Sequence, residues 1–238
     1  MSETDTVARG HDRLSLATPE RRPHARPLPS AFNRVSLMVR IQRRPKGAPS
    51  RRVRTDSAHA AWQALRADIK GAKGESIVAE TLASCGLPTL HDVHFPSVTG
   101  SGFTQIDHLV LLPDAVMVIE TKHYAGRLSG HPADRWWRQR VGCEKDGRLV
   151  LSPLHQNMGH CAAVRAVTAP VALDFQVVSR VVLTGSAETD PMLAEYVLNP
   201  ETLAGEIRAA TYRAPHASRA RIWDQIIAAR RTRPMASV

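Results

Sequence analysis

Hydrophobic and polar positions alternate along this 238-residue chain in blocks whose period switches from helical to extended and back. From Ala58 to Lys70 apolar residues recur at helical spacing, and after Gly71 a second helix is predicted over 72–84, stopped by Gly86 and Pro88. Residues 89–95 read as a short strand. Residues 105–112 and 115–122, rich in Val, Ile and Leu, are the clearest strands, and the Pro113-Asp114 turn joins them into a hairpin. Residues 124–150 are turn-rich, with Trp136-Trp137 in a short strand and Asp146-Gly147 in a hairpin turn. Ser152 offers an N-cap and Pro153 a first helical position for a helix to Val167. The apolar run Val177–Leu183 predicts a strand within 176–184 with neighbours on both sides. Helix, three strands, helix, strand is the order of an α/β fold with a mixed central sheet flanked by helices.

Charge changes this picture at the ends. Residues 1–54 hold 13 Lys+Arg against 4 Asp+Glu and 6 of the 16 prolines, so this stretch reads as a disordered basic arm that cannot bury enough to offset its ordering entropy. Residues 207–238 hold 7 Arg against Asp224 alone, in a helical pattern around Ile222, Trp223, Ile226 and Ile227. Between them the body is acidic, with 12 Lys+Arg and 17 Asp+Glu over 55–206. Three parts follow: an arm over 1–54, a folded domain over 55–190 and a helical basic extension over 191–238. Basic ends suit a polyanion, whose condensed counterions they would release, and Arg43, Arg44, Arg51, Arg52 and Arg54 are the candidate phosphate contacts.

Several classes drop out. The longest apolar run, Leu109–Ile119, is broken by Pro113 and Asp114 and falls short of the roughly 18 residues of a membrane span. Glu3 and Asp5 precede no apolar signal region, so secretion is not expected. Three cysteines, Cys85, Cys143 and Cys161, never form a CxxC, which fits a reducing cytoplasm with the thiols buried as small apolar groups. The eleven histidines lack zinc spacing. Phosphate-binding loop, GxSxG and HExxH signatures are missing.

Chemistry enters at the hairpin. With the turn centred between Pro113 and Asp114, Asp107 and Glu120 stand equally far from it, so they face each other with Cβ atoms about 5 Å apart. Lys122 shares the face of Glu120, about 7 Å further along. Two carboxylates opposed in apolar strands repel unless a cation lies between them, and Mg2+ takes one or two such oxygen ligands. A Glu-x-Lys at a sheet end can equally be a same-face ion pair. Glu75 shares a helical stripe with Val78, Ala79 and Leu82, which points a carboxylate to the core side, although a first-turn acid also suits the helix dipole. Trp136 and Trp137 could stack bases, but adjacent strand aromatics more often split, one into the core and one partly exposed.

Gly71-Ala-Lys-Gly-Glu75, Gln105-Ile-Asp-His108, the segment Val118 to Gly126 and Pro153-Leu-His-Gln156 resemble, in that order, the nuclease-related domain (NERD). That family is in turn similar to the PD-(D/E)xK restriction-endonuclease-like superfamily. The resemblance covers roughly residues 70–170. It implies a restriction-endonuclease-like core and a Mg2+- or Mn2+-dependent nuclease that hydrolyses DNA phosphodiesters, with RNA an open alternative, through water activated by the ion. It makes Asp107 and Glu120 metal ligands, with the Thr121 carbonyl as a further oxygen. Lys122 positions or activates the water and stabilises charge on the phosphorane. Glu75 supports the metal site, and Gln156, which unaided reads as a capping residue, reaches the same cleft. His123 stands where Asn is frequent and should point to the opposite face. The competing readings are a catalytically quiet nucleic-acid-binding or adaptor module, and a structural protein whose basic ends meet another acidic surface.

Overall fold

The computed structural model describes residues 57–98, 100, 102–143 and 146–231. The arm over 1–54, with Arg43, Arg44, Arg51, Arg52 and Arg54, lies outside the described residues. The chain opens with helix α1 (Ser57–Ser84), followed by strands β1 (Thr89–Pro96), β2 (Phe103–Leu111) and β3 (Ala115–Lys122). Three short strands come next, β4 (Gly126–Ser129), β5 (Trp136–Arg140) and β6 (Arg148–Leu151), then α2 (Pro153–Thr168) and β7 (Gln176–Leu183). Strands β8 (Ala187–Thr189) and β9 (Val197–Leu198) and helices α3 (Pro200–Ala210) and α4 (Arg219–Ala229) complete it.

The main sheet runs β1-β2-β3-β7-β9. β1, β2 and β3 are antiparallel neighbours, whereas β3, β7 and β9 are parallel. β7 therefore has partners on both sides, as its apolar run requires. Alternation along β3 divides the core. Val116 and Val118 face α2 and α4, packing with Cys161, Val164, Ile222 and Ile226. Met117 and Ile119 face α1 and α3, packing with Val78, Leu82, Leu203 and Ile207. Ile222 and Ile226 are fully buried at an i, i+4 spacing, contributing about 1.5–3 kcal/mol each, so α4 is a layer of the body. The segment 191–238 thus adds β9 to the sheet and one helix to each face within its described part.

The structure departs from the expected elements in three places. Instead of two helices meeting at Gly71, α1 is continuous over 28 residues. Glycine costs a helix interior only about 1 kcal/mol, and packing against the sheet outweighs that. Residues 124–150 are more ordered than their turn content suggests: β4, β5 and β6 join β8 in a second sheet, order β6-β5-β4-β8, over a core of Leu128, Trp137, Leu154 and Leu193. Of the cysteines only Cys161 is buried; Cys85 is half-buried and Cys143 exposed. The tryptophans split, with Trp137 fully buried and Trp136 partly exposed.

The hairpin turn is closed by Leu112 N–H donating to Ala115 O at 2.9 Å and strapped from outside, where Arg219 donates to the Leu111 and Leu112 carbonyls. That end of the sheet is covered. The opposite end, where parallel β3 and β7 deliver their C-termini, carries the cleft, the usual ligand position in such sheets.

Candidate active site

The β2–β3 ladder pairs Leu111 with Val116, Val110 with Met117, Leu109 with Val118 and His108 with Ile119. This is the register of a symmetric two-residue turn, and the next pair outward is Asp107 with Glu120. Backbone pairing stops there. Asp107 Oδ2 instead accepts from the Thr121 N–H at 2.7 Å, so a carboxylate takes the place of a strand carbonyl. Because the N–H and C=O of one strand residue point the same way, the Thr121 carbonyl is turned to the Asp107 side as well.

Glu120 is 1% exposed, and each of its oxygens has a basic group against it. The Lys122 ammonium sits on Oε1, and His160 Nε2 lies 3.1 Å from Oε2. Glu75 reaches the same place from α1. Its approach depends on Gly74: a Cβ there would meet Thr184 Oγ1 at 2.7 Å and the side chains of Thr121 and His123 at 3.4 Å. His123 bonds Thr184 Oγ1 at 3.1 Å on this α1 side, opposite Glu120 and Lys122 in the strand alternation. Gln156 comes from the first turn of α2, whose Ser152 cap accepts from the His155 N–H at 3.3 Å. Glu75, Asp107, Glu120, Thr121, Lys122 and Gln156 all line one cleft of about 830 Å³.

Charge in this cleft is strained toward the acids. Burial, then the neighbouring Glu120 charge, push the Asp107 carboxyl up to about 7, against the lowering effect of its bond from Thr121. Glu75 is also raised, by burial, Asp92 and Glu120 in that order. Burial works to lower the Lys122 ammonium, but Glu120, with help from Tyr124 and Asp107, outweighs it and holds Lys122 above its usual value. Lys122 therefore remains a cation beside an acid group that one ammonium does not neutralise. Among the described residues no three His, Cys, Asp or Glu side chains form a ready cage, and Mg2+, which keeps waters in its shell, does not need one.

Residues 70–184 match the family model described as the nuclease-related domain. This part of the chain is a nuclease-related domain. The nuclease-related domain belongs to the restriction-endonuclease-like superfamily. An uncharacterized protein of Bacillus anthracis is similar to it, 34% identical over 97 residues, which is 40% of this chain and 45% of the relative. The chain thus spans less than half the length of that relative. No solved structure matches the chain. Among the described residues no helix is long and apolar enough to cross a membrane.

The cleft and the residues packed around it include groups that the pattern of the chain did not single out. Arg66 and Lys70, one helical turn apart on the exposed half of α1, line its mouth. Arg148 and Gln139 come from the second sheet, joined by a 2.8 Å bond from Arg148 Nε to Gln139 Oε1. Tyr124 lies beside Lys122. Asp92, the one described non-glycine residue with positive φ (49°), breaks β1–β2 pairing opposite Asp107 and accepts from Gln105 Nε2 at 2.7 Å. His160 is four residues beyond Gln156 on α2, a spacing that could have drawn attention to it. Arg148 and Gln139 carry no sequence signal, because the second sheet that supplies them is not legible in its short strands.

Proposed function

We propose that the chain is a metal-dependent nuclease that hydrolyses phosphodiester bonds of DNA at the Asp107, Glu120, Lys122 site. The observation that carries this reading is the opposition of Asp107 and Glu120 at the open end of the hairpin, with Lys122 seated on Glu120. The donors fit a hard divalent ion: crowded carboxylates, one held near pKa 7, and a strand carbonyl turned to the same side. Asp107, Glu120 and the Thr121 carbonyl would hold Mg2+ or Mn2+. When bound, such an ion lowers the pKa of water and neutralises charge developing on phosphate.

The remaining tasks fall to the protein. Lys122 presents a fixed positive charge next to the attacking water and to the oxygens of the pentacovalent phosphorus, where a preorganised donor is worth most. Gln156 offers an uncharged donor and acceptor on the α2 side. Glu75 would accept hydrogen bonds from water on the α1 side of the cleft. Arg66, Lys70 and Arg148 ring the mouth and would seat the backbone on either side of the scissile phosphate without reading sequence. The basic arm would add to this electrostatic grip.

A plasmid-nicking assay with Mg2+ or Mn2+ tests the reading. Wild-type protein should nick, Glu120→Ala should abolish nicking, and Lys122→Met should slow it by about 10²–10³-fold. Equal inactivity of wild type and Glu120→Ala, with both still retarding DNA, would favour the quiet binding module instead.

A further inference from the structure

Buried between α2 and the sheet, one histidine ties the Glu120 carboxylate on β3 to Thr104 on the neighbouring strand β2. His160 is 6% exposed, its Nδ1 lies 2.6 Å from Thr104 Oγ1 and its Nε2 3.1 Å from Glu120 Oε2. An ionised carboxylate only accepts, so the proton of this bond sits on Nε2, and in neutral imidazole Nδ1 then accepts from the Thr104 hydroxyl. The line Thr104, His160, Glu120 therefore has one donor and one acceptor at each joint. It connects β2, α2 and β3.

The platform that carries His160 is rigid. Three residues earlier, the fully buried Asn157 places its amide nitrogen within reach of Val118 O at 3.0 Å, Ser179 Oγ at 2.8 Å and Arg180 O at 3.1 Å. Asn157 pins α2 across β3 and β7, so His160 cannot shift without breaking that clamp. A Glu side chain has three rotatable bonds, and a buried one next to a lysine would otherwise follow the ammonium. With His160 holding Oε2 from behind, Glu120 keeps its carboxylate plane fixed. Each oxygen has two lone pairs, so each retains capacity for a further partner on the cleft side.

We propose that His160, oriented by Thr104, is a positioning residue that presets the Glu120 carboxylate for a divalent cation. This rests on the metal-dependent reading of the site. Partners behind a metal ligand fix its orientation, and their loss typically weakens metal binding about 10–100-fold.

The test is titration of Mn2+ alone into the full-length protein, read by calorimetry and by the metal-induced rise in melting temperature. His160→Ala should weaken Mn2+ binding at least about 10-fold. His160→Gln, which can still donate to Glu120 and accept from Thr104, should recover most of it, a rescue that loss of packing alone would not show. Thr104→Val, nearly isosteric, should weaken binding in the same direction and by less, and serves as the test should His160→Ala not fold. Wild-type affinity in folded His160→Ala, or in Thr104→Val if the alanine variant does not fold, overturns the positioning role while the nuclease reading stands. Absence of Mn2+ binding by the wild type overturns both.

Discussion

Asp107 Oδ2 takes the Thr121 N–H at 2.7 Å, one step beyond the last backbone pair of the hairpin. A side chain thus finishes a ladder that the backbone abandons, which keeps two acids opposed where the strands diverge. Ordinary pairing would have filled this gap with a carbonyl and left no room for a cleft. The consequences are electrostatic, and they are measurable.

The contribution of Asp107 to the stability of the metal-free protein should fall as pH rises. Its folded carboxyl titrates near 7 against an ordinary 3.8, so between those values the native state holds a proton that the unfolded chain has released. Stability from this group is greatest below about 4 and is lost as pH climbs to about 7. Asp107→Asn should remove that falling contribution and make the pH profile steeper in the rising sense than that of the wild type, which urea midpoints across the range would show. An unchanged slope would mean that the carboxyl is ordinary.

The neighbouring histidines work in the opposite sense. His108 Nδ1 lies 2.7 Å from His91 Nδ1, and burial, then the His91 charge, depress His108 to about 3; burial also lowers His91. The folded state refuses protons that the unfolded chain accepts, so this contribution is full above about 6.5 and is lost as pH falls toward 3. Wild-type stability should therefore vary little between about 4 and 6.5, where the slopes oppose. His108→Leu should expose the falling Asp107 slope, and Asp107→Asn the rising histidine slope. Identical pH profiles for the two variants would contradict this assignment.

The two glycines of α1 should behave differently. At Gly71 an added Cβ meets only Glu75 Oε1, at 4.0 Å, so Gly71→Ala should stabilise by about 0.5–1 kcal/mol through helix propensity. At Gly74 the Cβ falls 2.7 Å from Thr184 Oγ1, which is held by His123 on a stiff β-branched residue. Gly74→Ala should destabilise by about 1–3 kcal/mol and, by lifting α1, move Glu75 out of the cleft. Thermal melts of both variants, with nicking activity measured alongside, would check the pair.

The strands 105–112 and 115–122, the Ser152-capped helix and the double-sided strand over 176–184 were readable from the residues, because alternation, capping and turn chemistry act over a few positions. So was the opposition of Asp107 and Glu120, since a two-residue turn sets the register of everything beyond it. The continuous α1, the second sheet and the placement of α3 and α4 on opposite faces were not. Gly71 looks like a stop until the surface that accepts it is known, and strands of four residues carry too little pattern to declare their partners.

The same division runs through the cleft. Residue type and spacing along the chain marked Asp107, Glu120 and Lys122, because oxygen donors on one strand face are a local matter. Which groups stand behind them, Thr104 and His160 on Glu120 or Arg66 and Arg148 at the mouth, depended on bringing together segments as far as 82 positions apart. So did the raised Asp107 carboxyl, since burial and the field of neighbouring charges exist only once helices close over the sheet.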